Sequence, residues 1–277
     1  MRAKRRKGSS ATMSLRERAA ASPAEAAADA MEPTPEAAAT PLDSDRVALR
    51  SERIELLRRS RLLLIFTPTL VRCGDPLDAL EAALPWIGAI QVRVPAPESE
   101  RIAPARETME WTLAVLELLG ERDDAPLVIV NDRLDVAVAL EEEGVAGVHL
   151  GTEDAPPSLA RRLLSPAAVI GASTHTAAEV VRASESGDVD LLGFGPIHPT
   201  STKGYTRGIG ADAAWVAANA TALPLFPIGG IDATNASDLS GVGRAAVGSA
   251  ILSSPDPGRA ARELHALLGD PTDPRPW

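Results

Sequence analysis

The chain has 277 residues, a formal net charge of −10 and a hydrophobic content of 45%, so it can bury a large core and is not a disordered protein. The acidic balance argues against a general nucleic-acid binder, because phosphate backbones need a basic face. Cys73 is the only cysteine, which excludes an internal disulfide and fits a reducing compartment.

Residues 1–44 are rich in Ala, Pro, Glu and Ser and lack a hydrophobic period, which predicts a disordered tail. The basic residues at its start are not followed by an apolar stretch, so this segment is not typical of a secretory signal. No apolar run is long enough to span a bilayer. We therefore expect a cytoplasmic protein that binds neither membranes nor nucleic acid. Residues 45–60 show a helical pattern and are predicted to cap the domain that follows.

From residue 61 onward, short apolar runs alternate with helical patterns such as Glu107–Leu119 and Arg259–Leu268. The predicted strands are Leu62–Thr67, Ala89–Arg93, Leu127–Asn131, Gly147–His149, Ala168–Ala172, Leu191–Gly195, Leu225–Ile228 and Ala245–Gly248. Apolar strands separated by helices are typical of a parallel sheet covered on both faces. Eight such units predict an α/β protein with a closed (β/α)₈ (TIM) barrel over residues 61–270 and a short tail at 271–277. A dinucleotide-binding doubly wound sheet is the alternative, but the first strand is not followed by Gly-x-Gly-x-x-Gly.

Polar residues and glycines concentrate at the carboxyl ends of the predicted strands or just after them, where this fold places its active site. They are Gln91, Arg93, Asn131, Asp132, Asp154, Ser173, Thr200, Ser201, Thr202, Lys203, Gly229, Gly230, Gly248 and Ser249. Gln91 is the only glutamine, and Lys203 is the only lysine beyond the basic start. A lone lysine after three hydroxyl residues indicates a phosphate contact, with a solvent-exposed loop lysine as the alternative.

Asp132 and Asp154 follow neighbouring strands and are a candidate Mg²⁺ site, because this ion prefers one or two carboxylates together with phosphates and water. The alternatives are a surface pair between Asp132 and Arg133, and an N-cap role for Asp154 ahead of the helix led by Pro156. Glycines after strands 7 and 8 fit the phosphate site that recurs in barrels. Two anion sites, of which one holds a metal, imply two phosphorylated substrates.

Six strings resemble thiamine phosphate synthase, in order and with suitable spacing from about residue 62 to residue 268. They are Asn131-Asp132-Arg133, Gly147-Val148-His149-Leu150-Gly151, Gly171-Ala172-Ser173-Thr174-His175, Gly195-Pro196-Ile197-His198-Pro199-Thr200-Ser201-Thr202-Lys203, Ile228-Gly229-Gly230-Ile231 and Ser249-Ala250-Ile251. The resemblance implies an enzyme that condenses a pyrimidine diphosphate with a thiazole phosphate and releases pyrophosphate. It allows a homo-oligomer, which the sequence leaves open.

The resemblance also implies a role for each site residue. Those expected to hold the pyrimidine diphosphate are Gln91, Arg93, Asn131, Ser173 and Lys203, and of these Arg93, Ser173 and Lys203 are the candidate catalytic residues. Those expected to hold the thiazole phosphate are Thr200, Ser201, Thr202, Gly229, Gly230, Gly248 and Ser249. Asp132 and Asp154 would bind Mg²⁺ on the diphosphate.

The sequence departs from the family pattern at two positions near the site. Pro95 stands where the family usually has a lysine, and Arg101 or Arg106 is the candidate substitute. His198 replaces an apolar aromatic residue, and with the Gly204–Gly210 stretch it favours a related thiazole tautomerase as the alternative, since histidine can act as an acid or base near pH 7. A non-catalytic barrel that binds phosphorylated thiazole or thiamine phosphate is the other alternative. His149 and His175 are interpreted as core or loop residues.

Overall fold

The computed structural model describes residues 41–100, 102–122, 124–200 and 206–272. Most of the predicted N-terminal tail and of the C-terminal tail lies outside these ranges. The helices are α1 (Pro41–Arg59), α2 (Pro76–Ala83), α3 (Ala105–Leu119), α4 (Leu134–Ala139), α5 (Pro157–Leu163), α6 (Ala177–Glu185), α7 (Ala211–Asn219), α8 (Ser249–Leu252) and α9 (Pro257–Leu267). Helix α1 thus contains the predicted capping segment up to Arg59 and begins at Pro41. None of the helices in the described ranges is long and apolar enough to cross a membrane.

Eight parallel strands form one sheet in the order β7-β6-β5-β4-β3-β2-β1-β8. They are β1 (Leu62–Phe66), β2 (Ala89–Val92), β3 (Leu127–Asn131), β4 (Gly147–Leu150), β5 (Val169–Thr174), β6 (Leu191–Phe194), β7 (Leu225–Pro227) and β8 (Ala245–Val247). A parallel bridge between Ile228 and Ala246 joins the two outer strands. The predicted (β/α)₈ barrel is confirmed, and every strand bound lies within two residues of its predicted position.

The continuous apolar strands fill two layers because side chains alternate across a strand. In β1, Leu63 and Ile65 belong to the cluster inside the barrel, whereas Leu62, Leu64 and Phe66 pack in the outer cluster with the helices. A fully buried side chain of this size contributes about 1.5–3 kcal/mol. Short runs such as Leu62–Phe66 therefore form strands although they show no polar alternation.

Helix α1 lies against the amino ends of the strands. Leu57 is fully buried in the inner cluster, and Arg53 donates to the carbonyl oxygen of Ala167 at 2.9 Å, two residues ahead of β5. Asp190, only 1% exposed, accepts hydrogen bonds from Arg50 Nε at 2.8 Å and Arg161 Nη2 at 2.5 Å. These contacts close the amino end of the barrel, so the inward-facing residues are open to ligands from the carboxyl end.

Candidate active site at the carboxyl ends of the strands

A cavity lies at the carboxyl ends of the barrel strands. Nine of the predicted substrate-binding residues line it: Gln91, Arg93, Asn131, Ser173, Thr200, Gly229, Gly230, Gly248 and Ser249. They come from the ends of six different strands, or from the turns that follow them, and are brought together only by barrel closure. Ser201, Thr202 and Lys203 lie outside the described residues.

The floor of the cavity is apolar. Leu63, Ile65, Leu191, Phe226 and Ile228 contribute side chains to it, and the first four belong to the buried cluster inside the barrel. An apolar floor below a ring of polar groups is typical of a site that holds a flat organic ring and orients it by its polar edge.

Two hydrogen-bonded pairs stand on this floor. Gln91 Nε2 donates to Asn131 Oδ1 at 2.5 Å, and both side chains are buried. His149 Nε2 lies 3.1 Å from Ser173 Oγ. The prediction that Ser173 follows the fifth strand is wrong, because β5 continues to Thr174. Ser173 is therefore held by the sheet itself and not by a loop.

The two histidines that sequence reasoning left as core or loop residues both line the cavity. His149 is 6% exposed, and His175 Nδ1 lies 2.5 Å from the carbonyl oxygen of Gly195. The alternation of side-chain directions along β4 could have predicted that His149 faces the barrel interior. Val148 and Leu150 pack in an outer cluster, so the residue between them must face the barrel interior.

Thr67, directly after β1, is a further wall residue without an assigned role. It is 2% exposed, and its Oγ1 has no hydrogen-bond partner in the described part of the chain. A buried hydroxyl of this kind is destabilising unless a ligand or water satisfies it.

Arg93 is the cation at the edge of the cavity. Burial lowers the pKa of its guanidinium from the usual value, and the nearby Asp132 carboxylate raises the pKa in part. An arginine remains protonated at neutral pH despite such a shift. A positive charge with little water around it interacts strongly with an anion, which suits a diphosphate.

Asp132 and Asp154 are both anchored at the end of β4. The backbone N–H of Asp132 donates to the carbonyl of His149 at 2.8 Å, and Asp154 Oδ2 accepts from the N–H of Gly151 at 2.7 Å. The two anchors are two residues apart on one chain, a backbone distance of about 7 Å. Neither aspartate belongs to the described wall of the cavity; both follow the strand ends just beyond it.

Two contacts bear on the alternative roles of these aspartates. Arg133 pairs with Asp135, its Nε donating to Oδ1 at 2.8 Å. Helix α5 has Pro156 at its N-cap position, so Asp154 caps the turn at Gly151 and not the helix. Carboxylate oxygens are the donors that Mg²⁺ prefers. Within the described ranges, no group of three or more Asp, Glu, His or Cys side chains is placed to hold a metal ion.

The two ends of the loop after β6 are joined by backbone hydrogen bonds. Ile209 N donates to Pro196 O at 2.9 Å, and Gly210 N donates to Ile197 O at 3.0 Å. A side chain on Gly208 would lie 2.1 Å from Ile197 O, so glycine is required for this approach. These hydrogen bonds fix the start of the segment that carries Thr200. Thr200 is the described member of the predicted phosphate loop.

Glycines after β7 bring a second loop against the first. Gly229 and Gly230 have φ of 102° and 63°, which L side chains rarely adopt. A Cβ on Gly230 would lie 2.5 Å from Pro199 O, and Asn235 Nδ2 holds the carbonyl of Gly230 at 2.9 Å. The backbone of this turn can thus approach a bound phosphate without side chains between them.

The other departures from the family pattern concern Arg101, Arg106 and His198. Arg106 is exposed on α3 and absent from the described cavity wall, and Arg101 lies outside the described residues. His198 is half-buried and, among the described residues, lies outside the wall; its Nε2 has no hydrogen-bond partner within that part of the chain.

A closed barrel with a polar, glycine-rimmed cavity at the carboxyl ends of its strands is typical of (β/α)₈ enzymes that act on small molecules. Sequence comparison identifies the family within this class of enzymes. Residues 62–251 match the family model described as thiamine monophosphate synthase. The chain belongs to the thiamine monophosphate synthase family.

The relatives differ in length. A thiamine-phosphate synthase from Parasynechococcus marenigrum is 37% identical over 226 residues, which cover 80% of this chain and 60% of that protein. Another from Chlorobium luteolum is 38% identical over 199 residues, which cover 70% of this chain and 88% of that protein. The chain therefore spans about 60% of the length of the first relative.

Solved structures agree with the fold. Thiamine phosphate pyrophosphorylase from Pyrococcus furiosus superposes with a TM-score of 0.63 and 31% identity, covering 78% of this chain and 97% of that one. A 3-hexulose-6-phosphate synthase superposes with a TM-score of 0.53 but 14% identity, and this likeness concerns the barrel alone.

Proposed function

We propose that the protein is a thiamine-phosphate synthase. It condenses 4-amino-2-methyl-5-(diphosphomethyl)pyrimidine with 4-methyl-5-(2-phosphoethyl)thiazole to give thiamine phosphate and pyrophosphate. If the thiazole is in its 2-carboxy form, CO₂ is released as well. The observation that carries this proposal is the single cavity in which nine residues assigned to the two substrates meet, from six strands. Family membership and relatives with this printed name support the same reaction.

Gln91, Asn131 and Ser173 are assigned to the pyrimidine. The amides of Gln91 and Asn131 and the hydroxyl of Ser173 offer the donors and acceptors that an aminopyrimidine edge requires. The apolar floor below them accommodates the ring faces. These groups hold the methylene carbon of the pyrimidine in one position relative to the second substrate, which lowers the barrier by orientation.

The charged groups are assigned to the diphosphate. Arg93 is the described cation, Lys203 is expected to be the second, and Asp132 and Asp154 would hold Mg²⁺. When bound, the metal supplies Lewis-acid neutralisation of the leaving group. Arg93 and Lys203 stabilise the negative charge that grows as the bond between the methylene carbon and the diphosphate oxygen breaks. Both electrons of that bond leave with pyrophosphate.

The hydroxyls and glycines of the β6, β7 and β8 loops are assigned to the phosphate of the thiazole. They hold the thiazole so that its ring nitrogen donates a lone pair to the methylene carbon and forms the new C–N bond. No protein nucleophile takes part in this scheme. The proposal places the protein in the cytoplasm.

The test is incubation of the full chain with both substrates and Mg²⁺, followed by detection of thiamine phosphate and pyrophosphate. Omission of either substrate, or addition of a chelator, serves as the control and should abolish both products. An isomerised thiazole formed without the pyrimidine would identify a tautomerase. Tight binding of either substrate without any product would identify a binding protein.

A further inference from the structure

His149 lines the cavity and has no role in the scheme above. It lies on β4 between Asn131 of β3 and Gly171 of β5, which are its register partners. Its ring is 6% exposed, and its Nε2 is 3.1 Å from the hydroxyl of Ser173. The imidazole therefore contacts the residue expected to bind the pyrimidine, from the side of the neighbouring strand.

Two glycines leave the space that this ring fills. A Cβ on Gly171 would lie 2.3 Å from His149 Nδ1, and a Cβ on Gly193 would lie 3.2 Å from its Cε1. Neither glycine has a positive φ, so the backbone does not demand glycine at these positions. The position of the imidazole explains why both residues are glycines. The ring crosses the barrel interior where a side chain on β5 or β6 would otherwise lie.

The hydrogen bond restricts the hydroxyl of Ser173. A serine hydroxyl has one proton and two lone pairs, and its proton rotates freely unless a partner holds it. If Nε2 donates, the serine proton is left for a substrate acceptor; if Nε2 accepts, the serine lone pairs are left for a substrate donor. In either tautomer the remaining group has a defined direction before the substrate arrives.

We propose that His149 is a positioning residue, which orients the Ser173 hydroxyl toward the pyrimidine, and that Gly171 and Gly193 form the slot that admits its ring. This inference rests on the proposed function, because it assigns Ser173 to the pyrimidine. It gives the site one further residue, His149, which acts through Ser173. It also assigns two glycines, which lack the side chains that would clash with the imidazole.

A double-mutant cycle tests the coupling. We expect His149→Phe, which keeps a ring but loses the hydrogen bond, and Ser173→Ala each to lower kcat/KM for the pyrimidine substrate about ten-fold. The double variant should be no slower than Ser173→Ala alone, because the histidine acts through that hydroxyl. His149→Gln, whose amide can reach the serine, should recover part of the loss. Additive effects of the two substitutions, or a His149→Phe variant with wild-type kinetics, would overturn the proposal.

If His149→Phe does not fold, a substitution at one of the two glycines tests the proposal independently. Gly171→Ala places a methyl group against the ring and should reduce kcat/KM to a similar extent, but should have no further effect in a His149→Ala background. A full effect in that background would overturn the slot. His265→Phe is the matched control. The His265 ring packs edge-on against Trp86, with the ring centroids 5.6 Å apart and outside the cavity, so its replacement should leave the kinetics unchanged. An inactive wild-type chain would refute the proposed function, and the cycle would then be measured on the affinity for the pyrimidine diphosphate.

Discussion

Asp132 offers a substitution in which stability and activity should move in opposite directions. Within the described ranges it is the only non-glycine residue with a positive φ, at 62°. The left-handed conformation costs an L-residue about 1–2 kcal/mol. Strain of this kind is retained where a side chain is needed for function. Asp132→Gly removes both the strain and the carboxylate.

The expected change in stability follows from three contributions. Relief of the left-handed conformation stabilises the protein by about 1–2 kcal/mol, while the greater freedom of glycine in the unfolded chain costs about 0.5–1 kcal/mol. The side-chain interactions of Asp132 are also lost, among them the attraction to Arg93. The backbone bonds from Asp132 N to His149 O and from Leu134 N to Asp132 O do not depend on the side chain. We expect a change between zero and about +1 kcal/mol, which raises Tm by at most about 4 °C for a domain of this size.

The activity should fall by at least about 100-fold, because even loss of an outer partner of a metal ligand reduces metal affinity or activity 10- to 100-fold. Binding of the thiazole phosphate should persist, since its subsite lies on the β6, β7 and β8 loops. Thermal unfolding by circular dichroism, titration calorimetry with the thiazole phosphate, and product formation against Mg²⁺ concentration measure the three quantities.

Asp135→Gly is the matched control. Asp135 lies three residues further on, in the first turn of α4, and pairs with Arg133. Glycine in a helix costs about 1 kcal/mol, so this variant should lose stability and keep its Mg²⁺ dependence. The reasoning fails if Asp132→Gly lowers Tm by several degrees, or if it retains Mg²⁺-dependent turnover.

Three further predictions concern stability and the loop lysine. Asp190→Asn should lower the free energy of unfolding in urea by about 3 kcal/mol, because it leaves two arginines without their shared, buried carboxylate; the exposed Asp212→Asn should change it by less than about 0.5 kcal/mol. Thr67→Val should raise the free energy of unfolding by about 1 kcal/mol, because it removes the buried hydroxyl described above, and a decrease would show that this hydroxyl is satisfied in the free protein. Lys203→Arg should reduce turnover at least about ten-fold, because the planar guanidinium group of arginine does not replace the compact charge of a lysine ammonium group. The surface substitution Arg122→Lys is the control and should leave turnover unchanged. Equal turnover of Lys203→Arg and the wild type would indicate that Lys203 faces solvent.

The sequence alone determined the architecture, because hydrophobic patterning is local. Runs such as Leu62–Phe66 can be recognised as buried strands without knowledge of their neighbours, and eight of them separated by helical patterns favour one fold. In a parallel barrel all carboxyl ends lie at one rim. Gln91, Asn131 and Ser173 could therefore be assigned to the same site from their positions along the chain alone.

Only the tertiary structure decided which side chains meet. The contacts between Gln91 and Asn131, and between His149 and Ser173, depend on strand register and on side-chain conformation, which a one-dimensional pattern does not specify. The sequence likewise carries no direct sign that Arg50 reaches Asp190, 140 residues away, or that Asp132 adopts a left-handed conformation. These features arise when the closed barrel brings distant segments together, because their energies depend on distances that exist only in the folded chain.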